Sequence, residues 1–471
     1  MSSISQLLKE NNPHEDILTI AGGLGDKENI PTYIVGGYVR DTLLGKSCQD
    51  IDIMVEGDGV AFAKLLASEL KVNVTVDYDK FGTALIPYPN VDIEVATARK
   101  EKYQSDSRKP EITSSTVEED MSRRDFTINA IAASLIPSSF GELYDPFGGI
   151  KDLQKGLLIT PLDPDETFSD DPLRMLRAVR FSAQLQYEIA AATLDSISRN
   201  IHRLEIVSWE RIRDEIIKSL TTEKPSIAFY LMKETGLLTH VFPEMDIMSG
   251  VEIINGMGHK DVFTHTLQVV DNVAKLTDKM DVRFAALVHD IAKPSTKKFE
   301  PKKGWTFHGH DEIGRRMLKK VARRMKLSNN LRDYLMLLTK LHLRPIALAK
   351  KEITDSAIRR VMAEAGEHVD DLMMLCRADI TTKDPKRVKK YMGNFERVEM
   401  LMQDVKLRDE MRAFQSPVRG EEIMEVFKLK PGKEVGKIKK AIEEAILDGI
   451  IENEYGAAYT FMIKNKDEML T

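Results

Sequence analysis

The stretch that decides the fold of the amino-terminal part is Tyr33-Ile34-Val35-Gly36-Gly37-Tyr38-Val39-Arg40-Asp41-Thr42-Leu43-Leu44-Gly45, followed shortly by Asp50-Ile51-Asp52-Ile53. Its pattern predicts an apolar strand, a glycine turn at Gly36 and Gly37, and a short helix that carries Arg40. Glycines let a backbone approach a phosphate closely, and the free N–H groups at a helix start favour an anion. Since such turns also occur in ordinary loops, the stretch is informative only together with the strand that follows it.

That next strand places two carboxylates on one face, because Asp50 and Asp52 are two residues apart and strand side chains alternate. A later strand, Val91-Asp92-Ile93-Glu94-Val95, repeats the alternation and offers Glu94 as a third carboxylate, with Asp92 on the same side. Aligned carboxylates bind divalent cations, and paired metals suit nucleotidyl transfer. The alternative interpretation is a solvated strand face.

The pattern of apolar residues changes along the chain. Short apolar runs over 31–136 predict a small α/β head, whereas the spacing i, i+3, i+4 dominates from about 165 onward. The helical stretches expected from this spacing are 173–185, 210–220, 262–276, 313–326 and 356–375. The predicted fold class is therefore α+β, with an α/β head followed by a mostly helical body.

Composition limits the classes of function. The 471 residues include 68 basic and 74 acidic ones, for a net charge of −6, so RNA binding would need a local basic surface. No apolar run approaches the roughly 20 residues of a membrane span. Cys48 and Cys376 lie far apart without a CxxC partner. We expect a cytoplasmic protein with no membrane partner, and the sequence leaves its oligomeric state open.

Together these motifs resemble the class II tRNA nucleotidyltransferase and bacterial poly(A) polymerase family. The resemblance continues through three further segments, Arg123 to Ala130, Asp145 to Leu153 and Asp170 to Phe181, and covers about residues 31–215. It implies a polymerase-β-like head with Asp50, Asp52 and Glu94 as catalytic carboxylates and Mg²⁺ on Asp50 and Asp52.

The resemblance also implies a nucleotide site. Its residues would be Gly36, Gly37, Arg40, Arg123, Arg124, Asp125, Asn129, Asp171, Arg174, Arg177 and Arg180. Guanidinium groups match phosphate geometry, and an Asn can serve a ribose hydroxyl. Without the family, the segment around Arg123 would be a helix start capped by Ser122 or Asp125.

Asp171 and Arg174 would read the base. Cytosine and adenine both present an amino donor beside a ring-nitrogen acceptor, so an acceptor and donor pair accepts CTP and ATP and opposes GTP and UTP. Asp171 before Pro172 is also a typical helix beginning, and the two roles are compatible. Residues 97–120 are expected to form a flexible loop that helps the change from C to A addition.

Seven of the ten histidines fall between His240 and His342. The order His265, His289-Asp290 and Asp379 resembles the HD phosphohydrolase superfamily, with Ala292 where glycine is common. His310 and His342 could add ligands to a second metal, and His308 is a weaker candidate. Imidazole and carboxylate ligands suit a divalent transition metal such as Mn, Fe, Co, Ni or Zn. Its identity stays open.

The tail contains a lysine-rich stretch around Pro431-Gly432. Lys433, Lys437, Lys439 and Lys440 could contact RNA phosphates, and the alternative is a solvated helix face. The expected domains are an N-terminal segment (1–30), the head (31–150), a helical neck that binds RNA and nucleotide (151–235), an HD domain (236–385) and a helical tail (386–471).

The resulting hypothesis is template-independent addition of C and A to the tRNA 3′ end from CTP and ATP, with phosphohydrolase activity in the HD domain. Alternatives in the same class are a poly(A) polymerase and an enzyme that adds only A or only CC. From other classes, the chain could be an HD phosphohydrolase with an inactive head or a non-catalytic RNA-binding protein. Retention of the head carboxylates and of the HD residues argues against these last two.

Overall fold

A computed structural model describes residues 3–10, 12–48, 50–72, 76–78, 82–104, 107–348, 354–413, 416–448 and 450–465. The chain divides into two compact units, residues 1–343 with 370–383, and residues 344–369 with 384–471. The first unit contains the expected head and neck and most of the expected HD domain. Among the described helices, none is long and apolar enough to cross a membrane.

The head is built on a mixed sheet. Its elements are α1 (Ser5–Lys9), α2 (Glu15–Glu28), β1 (Thr32–Val35), α3 (Gly37–Leu43), β2 (Asp50–Val55), α4 (Gly59–Glu69), β3 (Val76–Tyr78), β4 (Thr83–Tyr88), β5 (Val91–Thr97), β6 (Arg99–Gln104), β7 (Ser107–Ser114), α5 (Val117–Ser122), β8 (Ala132–Ser134), β9 (Leu143–Tyr144) and α6 (Gly149–Lys155). The strand order is β3-β4-β5-β2-β1-β8-β9. Within it β2 and β5 are parallel, and the other neighbours are antiparallel.

The alternation of apolar and acidic residues explains the two central strands. In β2 and β5 the side chains of Ile51, Ile53, Ile93 and Val95 are buried in the head core, against which α2 and α4 pack. The carboxylates alternate with them and therefore face the other side of the sheet. One of the short apolar runs that predict the head strands, Val72-Asn73-Val74, lies mostly outside the described residues, which omit 73–75.

The segment 97–120, which is expected to form a flexible loop, contains regular secondary structure. Strands β6 and β7 pair with each other as an antiparallel hairpin, and α5 follows. Because the hairpin lies outside the main sheet, its sequence lacks the apolar alternation of a core strand. The alternative of a helix start at Ser122 or Asp125 is wrong, since α5 begins after Thr116, which caps it, and ends at Ser122.

The remaining elements are mostly helical. They are β10 (Leu157–Leu158), α7 (Pro164–Asp170), α8 (Leu173–Leu185), β11 (Glu188–Ile189), α9 (Ala191–Asn200), α10 (Trp209–Leu220), α11 (Ser226–Glu234), α12 (Leu237–Val241), α13 (Pro243–Asp246), β12 (Ile253–Ile254), β13 (Met257–Gly258), α14 (Val262–Ala274), α15 (Met280–Val288), α16 (Lys293–Thr296), β14 (Lys298–Glu300), β15 (Gly304–Thr306), α17 (His310–Arg324), α18 (Asn329–Leu341), α19 (Arg344–Leu348), α20 (Asp355–Ala365), α21 (Val369–Ala378), α22 (Pro385–Ala413), α23 (Gly420–Phe427), α24 (Lys433–Leu447) and α25 (Tyr455–Lys464). The expected helix over 356–375 is two helices, because Gly366 at φ +56° interrupts it.

One buried guanidinium joins the neck to the HD region. The side chain of Arg283 on α15 is 3% exposed. All five of its N–H donors are used, on the carbonyl oxygens of Leu220, Thr222, Ala274 and Thr277 and on the Asp278 carboxylate, at 2.8–3.1 Å. The last carbonyls of a helix have no partner within it, so Arg283 satisfies groups at the ends of both α10 and α14.

We predict that Arg283→Met lowers the free energy of unfolding by about 3 kcal/mol, because it leaves several buried carbonyl groups without donors. Urea denaturation measures the loss. The matched control is Arg332→Met, since Arg332 is a third exposed and pairs with the adjacent Asp333; its effect should stay within about 0.5 kcal/mol. Equal stabilities of the two variants would contradict the assigned role of Arg283.

Candidate active sites

A cavity of about 690 Å³ opens between the head sheet and α8. Its lining contains every residue predicted for the head metal and the nucleotide, namely Gly36, Gly37, Arg40, Asp50, Asp52, Glu94, Arg123, Arg124, Asp125, Asn129, Asp171, Arg174, Arg177 and Arg180. Asp92 is not part of this lining. Residues from distant parts of the sequence therefore share one chemically distinctive space.

The three carboxylates lie on neighbouring parallel strands, with Asp52 directly opposite Glu94 in the register. Burial raises the pKa of Asp52 to about 6; Glu94 and Asp50 add to this rise, and the Arg124 guanidinium opposes it. A partly buried carboxylate beside two others is poorly neutralised by protein groups alone. An all-oxygen donor set of this kind fits a hard divalent cation.

The turn before α3 needs glycine at Gly36. Its φ is +68°, and a Cβ there would lie 2.7 Å from the Arg124 Nη1 atom and 3.6 Å from Asp52 Oδ2. At Gly37 a Cβ would meet Arg40 Nη2 at an ordinary 3.7 Å. The fold therefore tolerates a side chain at Gly37, and the bare backbone there leaves room in the cavity.

Asp125 links the head to the neck. Its carboxylate accepts hydrogen bonds from Asn129 Nδ2 at 3.0 Å and from Arg177 Nε of α8 at 2.7 Å. Arg40 Nη1 in turn donates to Asn129 Oδ1 at 2.7 Å. Burial would raise the pKa of Asp125, but Arg177 and Asn129 outweigh it and lower the pKa to about 2. The carboxylate is thus ionised at neutral pH and fixes both arginine side chains.

Sequence reasoning missed Asp120, which holds the predicted arginine pair. This buried carboxylate accepts hydrogen bonds from Arg123 Nε at 3.1 Å and from Arg124 Nη2 at 3.2 Å. Burial opposes ionisation, but the two guanidinium groups lower its pKa. The spacing i+3 and i+4 from Asp120 was a signal that could have revealed it.

The proposed base-reading pair lies at the start of α8. Asp171 Oδ1 accepts the backbone N–H of Leu173 at 3.1 Å, but Pro172 is the residue at the N-cap of α8, so Asp171 lies one position before the cap, not at it as expected. Arg174 donates from Nη1 to the carbonyl oxygen of Thr167 at 3.3 Å and from Nη2 to that of Arg123. These bonds hold the Arg174 guanidinium at the cavity, and its contact with a base stays a prediction.

Arg180 depends on two groups that the sequence did not single out. Its Nε atom donates to Glu215 Oε2 of α10 at 2.6 Å, and both side chains are buried. Its guanidinium also lies 4.1 Å from the ring centroid of Phe181, which faces Arg40 and Arg177 at greater distances. Glu215 is 35 residues away from Arg180, so local spacing gave no signal.

The six predicted HD residues form a second cluster. They fall into two sets, His265 with His289 and Asp379, and Asp290 with His310 and His342. Within each set the possible ligand atoms lie within 4.8 Å of one another. The sets are adjacent, since Asp290 Oδ2 lies 3.1 Å from His289 Nε2. His308 is exposed and is not a member of either set.

The imidazole rings present their Nε2 atoms to the centre of this cluster. The Nδ1 atoms of His289, His310 and His342 face backbone carbonyl oxygens at 2.7–2.8 Å, and that of His265 faces Thr381 Oγ1 at 2.9 Å. A carbonyl accepts a hydrogen bond, so Nδ1 carries the proton in these three rings. Nε2 is then the nitrogen that a metal can bind, and in His289, where Asp290 and Asp379 favour the charged ring, the metal must displace a proton from it.

Two buried atoms support a metal here, because His289 Nε2 and Asp290 Oδ1 make no hydrogen bond within the described structure. Burial disfavours the charged His289 ring, but Asp290 and Asp379 raise its pKa to about 10. Burial lowers the pKa of His342 to about 4. Nitrogen and oxygen donors fit a transition metal. Lys293, whose Nζ atom contacts Asp290 Oδ2 at 2.5 Å, was not predicted.

The predicted RNA-binding lysines belong to the second unit. On α24, Lys433, Lys437 and Lys440 are exposed and Lys439 is partly buried, whereas Ile438 faces an apolar core. Lys440 pairs with Glu444 at 3.4 Å. This amphipathic arrangement agrees with both a solvated face and an RNA-binding face, so the contact with RNA stays a prediction.

Comparison with known families agrees with both sites. The family model for the poly A polymerase head domain matches residues 32–159, that for the probable RNA and SrmB-binding site of polymerase A matches 186–248, and that for the HD domain matches 262–381. The multifunctional CCA protein of Nitrosospira multiformis is 32% identical over 368 residues, which cover 74% of this chain and 82% of that protein. The chain belongs to the tRNA nucleotidyltransferase and poly(A) polymerase family. Metal dependence is a property of this family and of the HD family.

Another relative agrees in sequence, and solved structures agree in fold. An A-adding tRNA nucleotidyltransferase of Geobacter sulfurreducens is 34% identical over 275 residues, which cover 58% of this chain and 29% of that protein. A CCA-adding enzyme structure, apo form II, has a TM-score of 0.61 at 25% identity and covers 98% of this chain and 99% of its own. The tRNA-bound CCA-adding enzyme of Thermotoga maritima has a TM-score of 0.60 at 23% identity, with 98% of each chain covered. The predicted fold class and family are confirmed.

The raised pKa of Asp52 predicts a pH dependence of cation binding. A proton on Asp52 competes with the cation, so affinity for Mg²⁺ should fall about tenfold per pH unit below about pH 6. Calorimetric titration with Mg²⁺ between pH 5 and 7.5 measures this affinity. The control Asp92→Asn removes a carboxylate outside the cavity, so its affinity for Mg²⁺ should begin to fall at the same pH. A constant affinity over this range would contradict the placement of the cation beside Asp52.

Proposed function

We propose that the protein adds C and A to the 3′ end of tRNA, using CTP and ATP without a nucleic-acid template. The observation that carries this proposal is the single cavity that contains the carboxylates, the arginines and the Asp171 and Arg174 pair together. The names of the relatives support it, since they include multifunctional CCA proteins of two organisms that span 82% and 73% of their own lengths in the match.

Each group in the cavity has a role in this reaction. Asp50, Asp52 and Glu94 would hold Mg²⁺, which when bound supplies activation of the 3′ hydroxyl group and stabilisation of the leaving pyrophosphate. Arg123 and Arg124 orient the triphosphate, and Asp120 keeps their guanidinium groups in place. A fixed array of donors lowers the reorganisation needed when negative charge develops.

Base selection rests on Asp171 and Arg174. The Asp171 carboxylate accepts from the amino group of cytosine or adenine, and the Arg174 guanidinium donates to the adjacent ring nitrogen. Guanine and uracil would place a carbonyl group against Asp171 and an N–H group against Arg174. Neither contact can be satisfied, and the resulting desolvation cost selects against GTP and UTP.

Partial reactions are the alternatives, because the relatives also include an A-adding enzyme. We favour complete CCA addition because the relatives that are matched over the larger part of their own length are multifunctional CCA proteins.

We also propose that the protein acts in the cytoplasm and that Lys433, Lys437, Lys439 and Lys440 contact the tRNA. We further propose the domain boundaries expected from the sequence, at 30, 150, 235 and 385, with the N-terminal helices α1 and α2 packed on the core of the head.

A second proposed activity is hydrolysis of a phosphoester at the HD cluster. His265, His289, Asp290, His310, His342 and Asp379 would hold a divalent transition metal, which supplies a water of lowered pKa when bound. The unsatisfied His289 Nε2 and Asp290 Oδ1 atoms support the metal. The proposed substrates are 2′,3′-cyclic phosphates and 2′-phosphates at RNA ends.

Two substitutions test whether the two sites act separately. Asp50→Asn should abolish nucleotide addition and preserve phosphohydrolase activity, because it removes a charged oxygen ligand from the head alone. His289→Ala should do the reverse and should also reduce the transition-metal content of the purified protein. Incorporation of labelled CTP and ATP, phosphate release and metal analysis measure these effects.

The matched controls are Asp92→Asn on the neighbouring strand and His308→Ala in the HD region, which change the same residue types outside both sites. Both should retain both activities. Loss of both activities in either site variant, with an unchanged circular dichroism spectrum, would refute the two-site proposal.

A further inference from the structure

Helix α17 presents an exposed basic face on a chain whose net charge is acidic. Its 15 residues include six Lys or Arg against two acidic residues, Asp311 and Glu312. Arg316, Lys319, Lys320 and Arg323 follow the spacing i, i+3, i+4, i+7 and are all exposed. Residues with this spacing share one side of a helix. The positive charge is therefore concentrated along one line.

Some of the basic residues on α17 have structural partners. Arg315 and Arg316 pair with Glu312 at 2.7 and 3.1 Å, and Arg324 pairs with Glu244 on α13. By contrast, Lys319, Lys320 and Arg323 have no carboxylate oxygen within 4.0 Å in the part of the chain that the structure describes. Internal ion pairs thus account for half of the charge and leave the central part of the face to the solvent.

The two ends of α17 connect it to the two candidate active sites. His310, its first residue, belongs to the HD metal cluster. Just beyond its other end, the carbonyl oxygen of Lys326 accepts a hydrogen bond from Arg213 Nη1 of α10 at 2.7 Å. Helix α10 also carries Arg211, which lines the nucleotide cavity. At 1.5 Å per residue the helix is about 22 Å long, enough for several phosphates.

We propose that the basic face of α17, defined by Arg316, Lys319, Lys320 and Arg323, binds the sugar-phosphate backbone of the RNA whose end enters the HD site. This inference rests on the proposed phosphohydrolase function. A row of cations along a helix suits phosphate contacts that are independent of base sequence.

The test compares two substrates of one metal-loaded protein, a tRNA that ends in a 2′,3′-cyclic phosphate and 2′,3′-cyclic AMP. The α17 variant combines three substitutions, Lys319→Ala, Lys320→Ala and Arg323→Ala. It should lower kcat/KM for the tRNA about tenfold at 0.15 M salt. Cyclic AMP is the reference substrate, because its kcat/KM depends on the metal site alone. Loss of three phosphate contacts should also make the slope of log kcat/KM against log salt about 2 units less negative.

The control removes three exposed lysines from head helices, Lys9→Ala with Lys27→Ala and Lys155→Ala, and should leave both substrates and the salt slope unchanged. An equal loss for tRNA and cyclic AMP, or an unchanged tRNA rate and slope in the α17 variant, would overturn the inference.

Failure of the phosphohydrolase function is a distinguishable outcome, because wild-type protein would then hydrolyse neither substrate with Mn, Co, Ni or Zn. In that case equilibrium binding of the same tRNA still tests whether the basic face of α17 binds RNA. A less negative salt slope of the dissociation constant in the α17 variant supports the RNA-binding face, and a slope equal to that of the control variant excludes it.

Discussion

The ionised and buried carboxylate of Asp125 is the interaction on which the nucleotide cavity depends. It holds Arg177 of the neck directly and Arg40 of the head through Asn129, so one negative charge keeps three side chains in place. Burying a carboxylate is costly unless charged and polar partners surround it, and here Arg177 and Asn129 are these partners and lower the pKa to about 2. The shape of the cavity thus depends on ion pairs between the head and the neck, and not on apolar packing alone.

The same logic extends to the other charged groups. Asp120 fixes the pair Arg123 and Arg124, Glu215 fixes Arg180, and Arg283 fills the joint between the neck and the HD region. An apolar core that runs from the head boundary through α8, α10 and α15 to α18 supports these ion pairs. Neck and HD region therefore form one continuous body, in which each active site is held by groups from several elements.

Much of the fold and of both sites could be predicted from the sequence, because their signals are local. Asp50 and Asp52 follow the strand period of two, and His289-Asp290 follows an apolar helix. The partners that fix the site residues were harder to predict. Glu215 pairs across 35 residues and Arg283 bonds to Leu220 across 63, and neither contact leaves a periodic pattern. The hairpin over 99–114 was missed since it lies outside the sheet.

The most direct test of the account supplies Mg²⁺ with labelled CTP and ATP, separately and together, to tRNAs that end before CCA, after C and after CC. Products are resolved at single-nucleotide length. The account predicts that CTP alone extends the first two substrates to CC, that ATP alone extends only the third, and that both nucleotides together stop at CCA. Addition of A alone to every substrate, a long poly(A) product or no addition at all would contradict it.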